Sequence, residues 1–164
     1  CVLKTKHILN SMKKILLSLA IATGFISVAF SQIENPVTWS YNAKKVADKV
    51  YDLQITATLS PGWHLYSQNA GEALSDPTSF VFANNPLFKL ENKVKETGKL
   101  IAEYDPTMKG VLKFYKNNVT FTQRVKMKTT APTVAKGTVT YIVCNDRKCL
   151  PPKDVAFSIK LGGK

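Results

Sequence analysis

Ten residues from Val50 to Leu59, read Val-Tyr-Asp-Leu-Gln-Ile-Thr-Ala-Thr-Leu, alternate between two kinds of side chain. Tyr51, Leu53, Ile55, Ala57 and Leu59 fall on one side, and Val50, Asp52, Gln54, Thr56 and Thr58 on the other. A period of two places these sets on opposite faces of a strand and would scatter them around a helix. One face of that strand must be covered by a second layer. The same β character returns at Val37–Tyr41, Ser79–Phe82, Val111–Tyr115, Val119–Val125, Thr138–Val143 and Val155–Leu161. Phe88–Leu100 reads as a further strand, although its lysines and glutamates also permit helix. Val111–Tyr115 and Val119–Val125 read as a hairpin across Lys116–Asn118. Turn signals separate the runs at Ser60-Pro61-Gly62, Asn84–Pro86, a loop Glu103–Gly110 and a connection Thr129–Gly137. Roughly seven to nine short strands with no strong amphipathic helix predict an all-β fold, an immunoglobulin-like antiparallel β-sandwich.

The chain divides in three. Met12-Lys-Lys-Ile-Leu-Leu opens an apolar run that ends near Ala29 and Ser31. A basic start, an apolar middle and small residues at the exit are the pattern of a cleaved signal peptide over 12–31. Residues 1–11 precede Met12 and are expected to be upstream of the true start, and 32–164 form the mature domain. Residues 1–31 together carry four lysines and no acids, so their removal takes the net charge from +12 to +8. The remaining lysines are scattered, without the basic helix or basic-aromatic motif of a nucleic-acid binder, so nucleic acid is not an expected partner. Export also means that a cysteine pair can persist oxidised.

Of the three cysteines, Cys1 falls upstream, which leaves Cys144 and Cys149 in Cys-Asn-Asp-Arg-Lys-Cys-Leu-Pro-Pro. The pair lies at the expected tip of a hairpin between Thr138–Val143 and Val155–Leu161. Alternation puts Val139, Tyr141 and Val143 on the core face and Cys144 on the more polar side, where a partner can reach it. Three uses compete. A structural staple across so short a loop stabilises by about 2 kcal/mol against nearly 5 for a long one. A zinc site wants about four ligands, and beyond the two thiolates only His64, Asp146 and His7, ahead of the mature domain, are at hand, so no metal or other cofactor is expected. Redox exchange needs one reachable sulfur and a second thiol nearby to resolve a mixed disulfide. Arg147 and Lys148 favour a thiolate there, and Asp146 opposes them.

The cysteine segment resembles the active-site hairpin of the N-terminal domain of DsbD, the thiol:disulfide interchange protein. Pro61-Gly-Trp-His-Leu-Tyr-Ser67 is similar to that family's aromatic segment, and Gly110–Phe121 to its strand pair after the cap loop. The resemblance runs over nearly all of 36–161. It implies an immunoglobulin-like sandwich in which Cys144 and Cys149 form a reversible disulfide. It implies a periplasmic domain that takes electrons from a separate membrane electron donor of DsbD type and passes them to thioredoxin-like extracytoplasmic proteins. His64 and Tyr66 match positions where the family places tyrosines beside the active site. A cap loop falls at Asp105–Gly110, with Met108 where an aromatic cap is expected. The alternative is a non-catalytic exported β-sandwich, a binding module with a structural disulfide.

Overall fold

The computed structural model describes residues 34–72 and 74–162. The expectations for residues 1–11 and for the leader 12–31 lie outside the described residues. The strands are β1 (Val37–Ala47), β2 (Val50–Leu59), β3 (His64–Tyr66), β4 (Ser79–Phe82) and β5 (Phe88–Asp105). They continue with β6 (Gly110–Met127), β7 (Thr133–Tyr141), β8 (Val143–Cys144) and β9 (Lys153–Leu161). A six-stranded sheet runs β1-β2-β6-β3-β8, with β5 on the other side of β6, and a three-stranded sheet runs β4-β7-β9. All pairings are antiparallel. The expected all-β sandwich is what forms.

The alternation in β2 does what its period dictates. Leu53, Ile55 and Ala57 are fully buried, while Thr58 is exposed. They meet Phe121 and Val125 of β6, Val139 and Tyr141 of β7, and Phe157 of β9 in one apolar cluster between the sheets. Aromatic contacts cross the interface: Phe80 of β4 lies 4.9 Å from Phe121, and Trp39 of β1 lies edge-on 5.2 Å from Tyr141. Full burial of each large side chain contributes about 1.5–3 kcal/mol. Ser60-Pro61-Gly62-Trp63 closes as a turn, with the Trp63 N–H donating to the Ser60 carbonyl at 3.2 Å. Gly62 there takes φ +82°, the left-handed value that a type II turn requires at its third residue.

Four local expectations are corrected. The hairpin across Lys116–Asn118 is one continuous strand, β6, which pairs with β3 over Phe114–Lys116 and with β2 over Asn118–Lys126. Asn117 sits at φ +69°, and the β5 register shifts opposite it between Gly98 and Leu100, so the polar triplet bends the strand without ending it. Phe88–Leu100 is the strand expected there, and as β5 it continues to Asp105. The expected loop Glu103–Gly110 therefore shortens to Pro106–Lys109, because Glu103, Tyr104 and Asp105 pair with Leu112, Val111 and Gly110. The connection Thr129–Gly137 is mostly strand, since β7 begins at Thr133 and pairs with Leu161 of β9.

The fourth correction matters most. Cys144 is buried, 2 % exposed, and Cys149 is the exposed cysteine. The chain changes sheets at Ile142: β7 pairs with β4 and β9, whereas β8 pairs with β3. Cys144 does leave the core face, as alternation requires. What covers it is a second apolar cluster with Tyr66, Ala70, Leu112 and Phe114, on the outer side of the larger sheet.

Candidate functional site

The site is built from rows of cross-strand neighbours. Cys144 on β8 stands opposite His64 on β3, and His64 stands opposite Lys116 on β6. Directly opposed residues share a face and have Cβ atoms about 4.5–5.5 Å apart. The next row holds Tyr66, Phe114 and Ile101, and the next Leu112 and Glu103. The alternate set, Val143, Leu65 and Tyr115, points into the main core. One period-two pattern thus serves both layers.

Cys144 and Cys149 are within disulfide-bonding distance and joined, their Cα atoms 4.0 Å apart. They face each other across an antiparallel bridge. It is flanked by the Asn145 N–H donating to the Lys148 carbonyl and the Leu150 N–H donating to the Val143 carbonyl, both at 2.9 Å. The Asn145 side-chain oxygen accepts from the N–H groups of Arg147 and Lys148, each at 2.9 Å. This local bond fixes the turn that brings the sulfurs together. The facing loop is made the same way: Asp105 Oδ1 accepts from the N–H groups of Thr107 at 2.7 Å and Met108 at 2.9 Å.

Between these two loops lies a groove of about 240 Å³. Cys144, Cys149, His64, Tyr66, Asp105 and Asp146 all line it, which brings together all but one of the residues singled out from the sequence. Met108 is the one placed elsewhere. It is 44 % exposed and lines a separate depression with Gly71 and Val111. The reason is the corrected extent of β5: the strand carries Glu103 to Asp105 along the groove, and the turn then takes Met108 to its far side. Tyr104 and Pro106 line the groove instead, Tyr104 being 64 % exposed.

The His64 ring lies 4.5 Å from that of Phe114 and edge-on 5.3 Å from that of Tyr66. Burial, and then the Lys116 ammonium, hold its pKa below the usual 6.5, while Asp146 and Glu103 pull the other way. Tyr66 is raised above its ordinary value by burial and then by Asp105. The Lys116 ammonium lies 5.5 Å over the Phe114 ring, a cation–π placement at the groove wall. Among the described residues no cluster of three or more His, Cys, Asp or Glu side chains could hold a metal ion.

Sequence reasoning missed several contributors. Phe114 and Lys116 follow from alternation once β6 is known to be unbroken, but the polar triplet hid that. Glu96 has no local signal. Its carboxylate accepts from Ser67 Oγ at 2.7 Å, the Gln68 N–H at 2.6 Å and Tyr115 Oη at 2.8 Å. Burial, and then this bond, push the Tyr115 phenol far above its usual range. The network ties the chain leaving β3 to β5. Gly71 packs the same segment on β6: at φ +104°, a Cβ there would lie 2.2 Å from the Val111 carbonyl oxygen. These contacts fix β3, and with it His64 and Tyr66.

Comparison with known proteins gives a consistent result. The sequence profile described as "Thiol:disulfide interchange protein DsbD, N-terminal" matches residues 34–161. No curated protein sequence matches the chain. Among solved structures, the DsbD N-terminal domain of Neisseria meningitidis in the reduced form is 16 % identical at TM-score 0.53, covering 78 % of this chain and 87 % of that one. The N-terminal periplasmic domain of ScsB from Proteus mirabilis is 15 % identical at TM-score 0.56, covering 76 % of this chain and 46 % of that one. The complex between the DsbD N-terminal and PilB N-terminal domains of N. meningitidis matches at TM-score 0.47 and 15 % identity, covering 77 % and 87 %. The profile match spans most of the chain, and the first two of these structures share its fold. With a cysteine pair at disulfide distance in the groove, the chain belongs to the family of DsbD N-terminal domains.

Proposed function

We propose that the chain is an exported thiol:disulfide exchange domain, relaying electrons through Cys144 and Cys149 to thioredoxin-like proteins outside the cytoplasm. The observation that carries this reading is the unequal burial of the two sulfurs' residues in an open groove: Cys149 exposed, Cys144 2 % exposed. Exchange needs one sulfur that a partner can reach and a second thiol beside it to resolve the mixed disulfide, and unequal burial directs the partner to one of the two. In the oxidised domain, a donor thiolate attacks Cys149 Sγ and the electron pair of the broken bond leaves on Cys144. The donor's second thiol then releases Cys149, and the pair is reduced by two electrons. In the forward direction the Cys149 thiolate attacks a partner's disulfide, and Cys144 displaces the partner's sulfur from Cys149. The partner leaves as a dithiol and the Cys144–Cys149 bond re-forms. Electrons enter from a separate membrane donor of DsbD type, a role that family membership supports.

Capping of the pair is the work of the Tyr104–Pro106 segment, which borders the groove. The basic-apolar leader over 12–31 supports delivery to the periplasm. The test is a trap. With Cys144→Ser, the exposed Cys149 attacks a partner but nothing resolves the adduct, so mixed disulfides with extracytoplasmic thioredoxin-like proteins accumulate in the native cell. With Cys149→Ser they do not. Absence of adducts from both variants would leave the disulfide as a staple.

A further inference from the structure

We propose that His64 is the proton acceptor for the Cys144 thiol in the step that resolves the mixed disulfide. The inference rests on the exchange reading above and assigns a new role within that site. Once Cys149 is joined to a partner, Cys144 carries a proton that must leave before its sulfur can attack. Cys144 is buried against Tyr66, Leu112 and Phe114, an apolar setting that opposes the thiolate. With Cys144 only 2 % exposed, a base within the protein serves it better than bulk water. His64 is the direct cross-strand neighbour of Cys144, on the same face and lining the same groove. Its ring is held by Phe114 and Tyr66, which limits it to few orientations.

The groups facing His64 define its charge. On β6 it meets Lys116 and on its own strand Tyr66. Glu103, Tyr104 and Asp105 of β5 border the groove, and Asp146 lies in the cysteine loop. Burial and Lys116 outweigh Glu103 and Asp146, so the imidazole is neutral at neutral pH and free to accept. The step balances. The Cys144 S–H proton moves to an imidazole nitrogen, and the thiolate attacks Cys149 Sγ. The Cys149–partner bond breaks, and the partner's sulfur departs with the electron pair. The imidazolium then returns its proton to the departing thiolate or to water. Lys116, next in the row, steadies the transient negative charge on sulfur.

An aromatic disulfide reagent that releases a coloured thiolate separates the two stages in the full-length reduced protein. The first equivalent of colour reports attack by Cys149 and the second reports resolution by Cys144. His64→Phe keeps the ring packing and removes the proton acceptor; His64→Gln is the second variant, and circular dichroism checks the fold of both. At neutral pH the ratio of second-stage to first-stage rate should fall at least about a hundredfold in either variant, the low end for a positioned base. In wild type that ratio should hold down to below pH 6.5, the usual histidine value, and then drop. In the variants it should rise steadily with hydroxide. A ratio and pH profile in folded His64→Phe or His64→Gln equal to wild type would overturn the proposal and leave the exchange reading standing. Loss of the first stage in the wild-type protein would bring down both.

Discussion

Two apolar clusters share one set of strands yet differ in what they enclose. The larger lies between the sheets and includes Leu53, Ile55 and Phe121 at zero exposure. The smaller lies on the outer face of the six-stranded sheet and includes Tyr66, Ala70, Leu112, Phe114 and Cys144. The first is closed on both sides. The second lies over β3 and β6 with the segment of Ala70, and is bordered by two short loops, each pinned through one side-chain oxygen. Stability resides in the first cluster and chemistry at the second. A buried sulfur under a thin cover can be exposed by moving a loop, whereas nothing in the main core can be exposed without unfolding the domain.

Mutations sharpen that contrast in a graded series. Phe121→Ala in the main core should cost about 3–5 kcal/mol in a denaturant titration and leave the reduction potential of the cysteine pair nearly unchanged. Removing the disulfide with Cys144→Ala plus Cys149→Ala should cost only about 2 kcal/mol, since the loop it closes is short. A double variant that does not fold at room temperature would mean that the outer cluster is structural after all. Asn145→Ala removes one acceptor serving two exposed N–H groups, and about 1 kcal/mol or less should disappear from the oxidised protein. Tyr104→Ala should hardly move the melting temperature but should speed reduction of the disulfide by a small thiol several-fold. Met108→Ala, on the far side of the turn, should leave that rate alone; the opposite ranking would return the cap to Met108.

The smallest effect is a slope. His64 has a folded pKa below its unfolded 6.5, so above that pH neither state is charged and stability is unaffected. As pH falls below 6.5, the unfolded chain takes up a proton that the folded one resists, and stability declines until the folded pKa is reached. His64→Phe should remove this part of the acid-side decline, seen as a flatter denaturation midpoint against pH.

The fold was legible in the sequence because burial between two sheets writes period two into the chain. Tyr51 to Leu59 show it plainly, and β2 and β4 have the expected limits. Long strands were not legible where they bend. Lys116-Asn117-Asn118 reads as a turn because Asn favours left-handed backbone, and Asn117 does adopt it, but within a strand that β5 follows through a matching irregularity. The cysteine pair was legible from its spacing and surroundings. The burial of Cys144 was not: alternation reports only that it leaves the main core. What covers it is supplied by Tyr66, Leu112 and Phe114, from strands distant in sequence. Met108 was misplaced for a related reason. Where a turn starts depends on how far the flanking strands pair, which a single loop sequence does not encode.

If the Cys144–Cys149 bond is made to be exchanged, its reduction potential must lie where other thiols can open and close it. Equilibrating the purified domain against dithiol–disulfide buffers, with the redox state read by mass after alkylation, yields that potential. A value above about −300 mV is expected, in the range where other thiol:disulfide proteins can reduce and re-oxidise the pair. A value well below about −300 mV would contradict this, marking a bond that holds the outer cluster together rather than one that passes electrons through it.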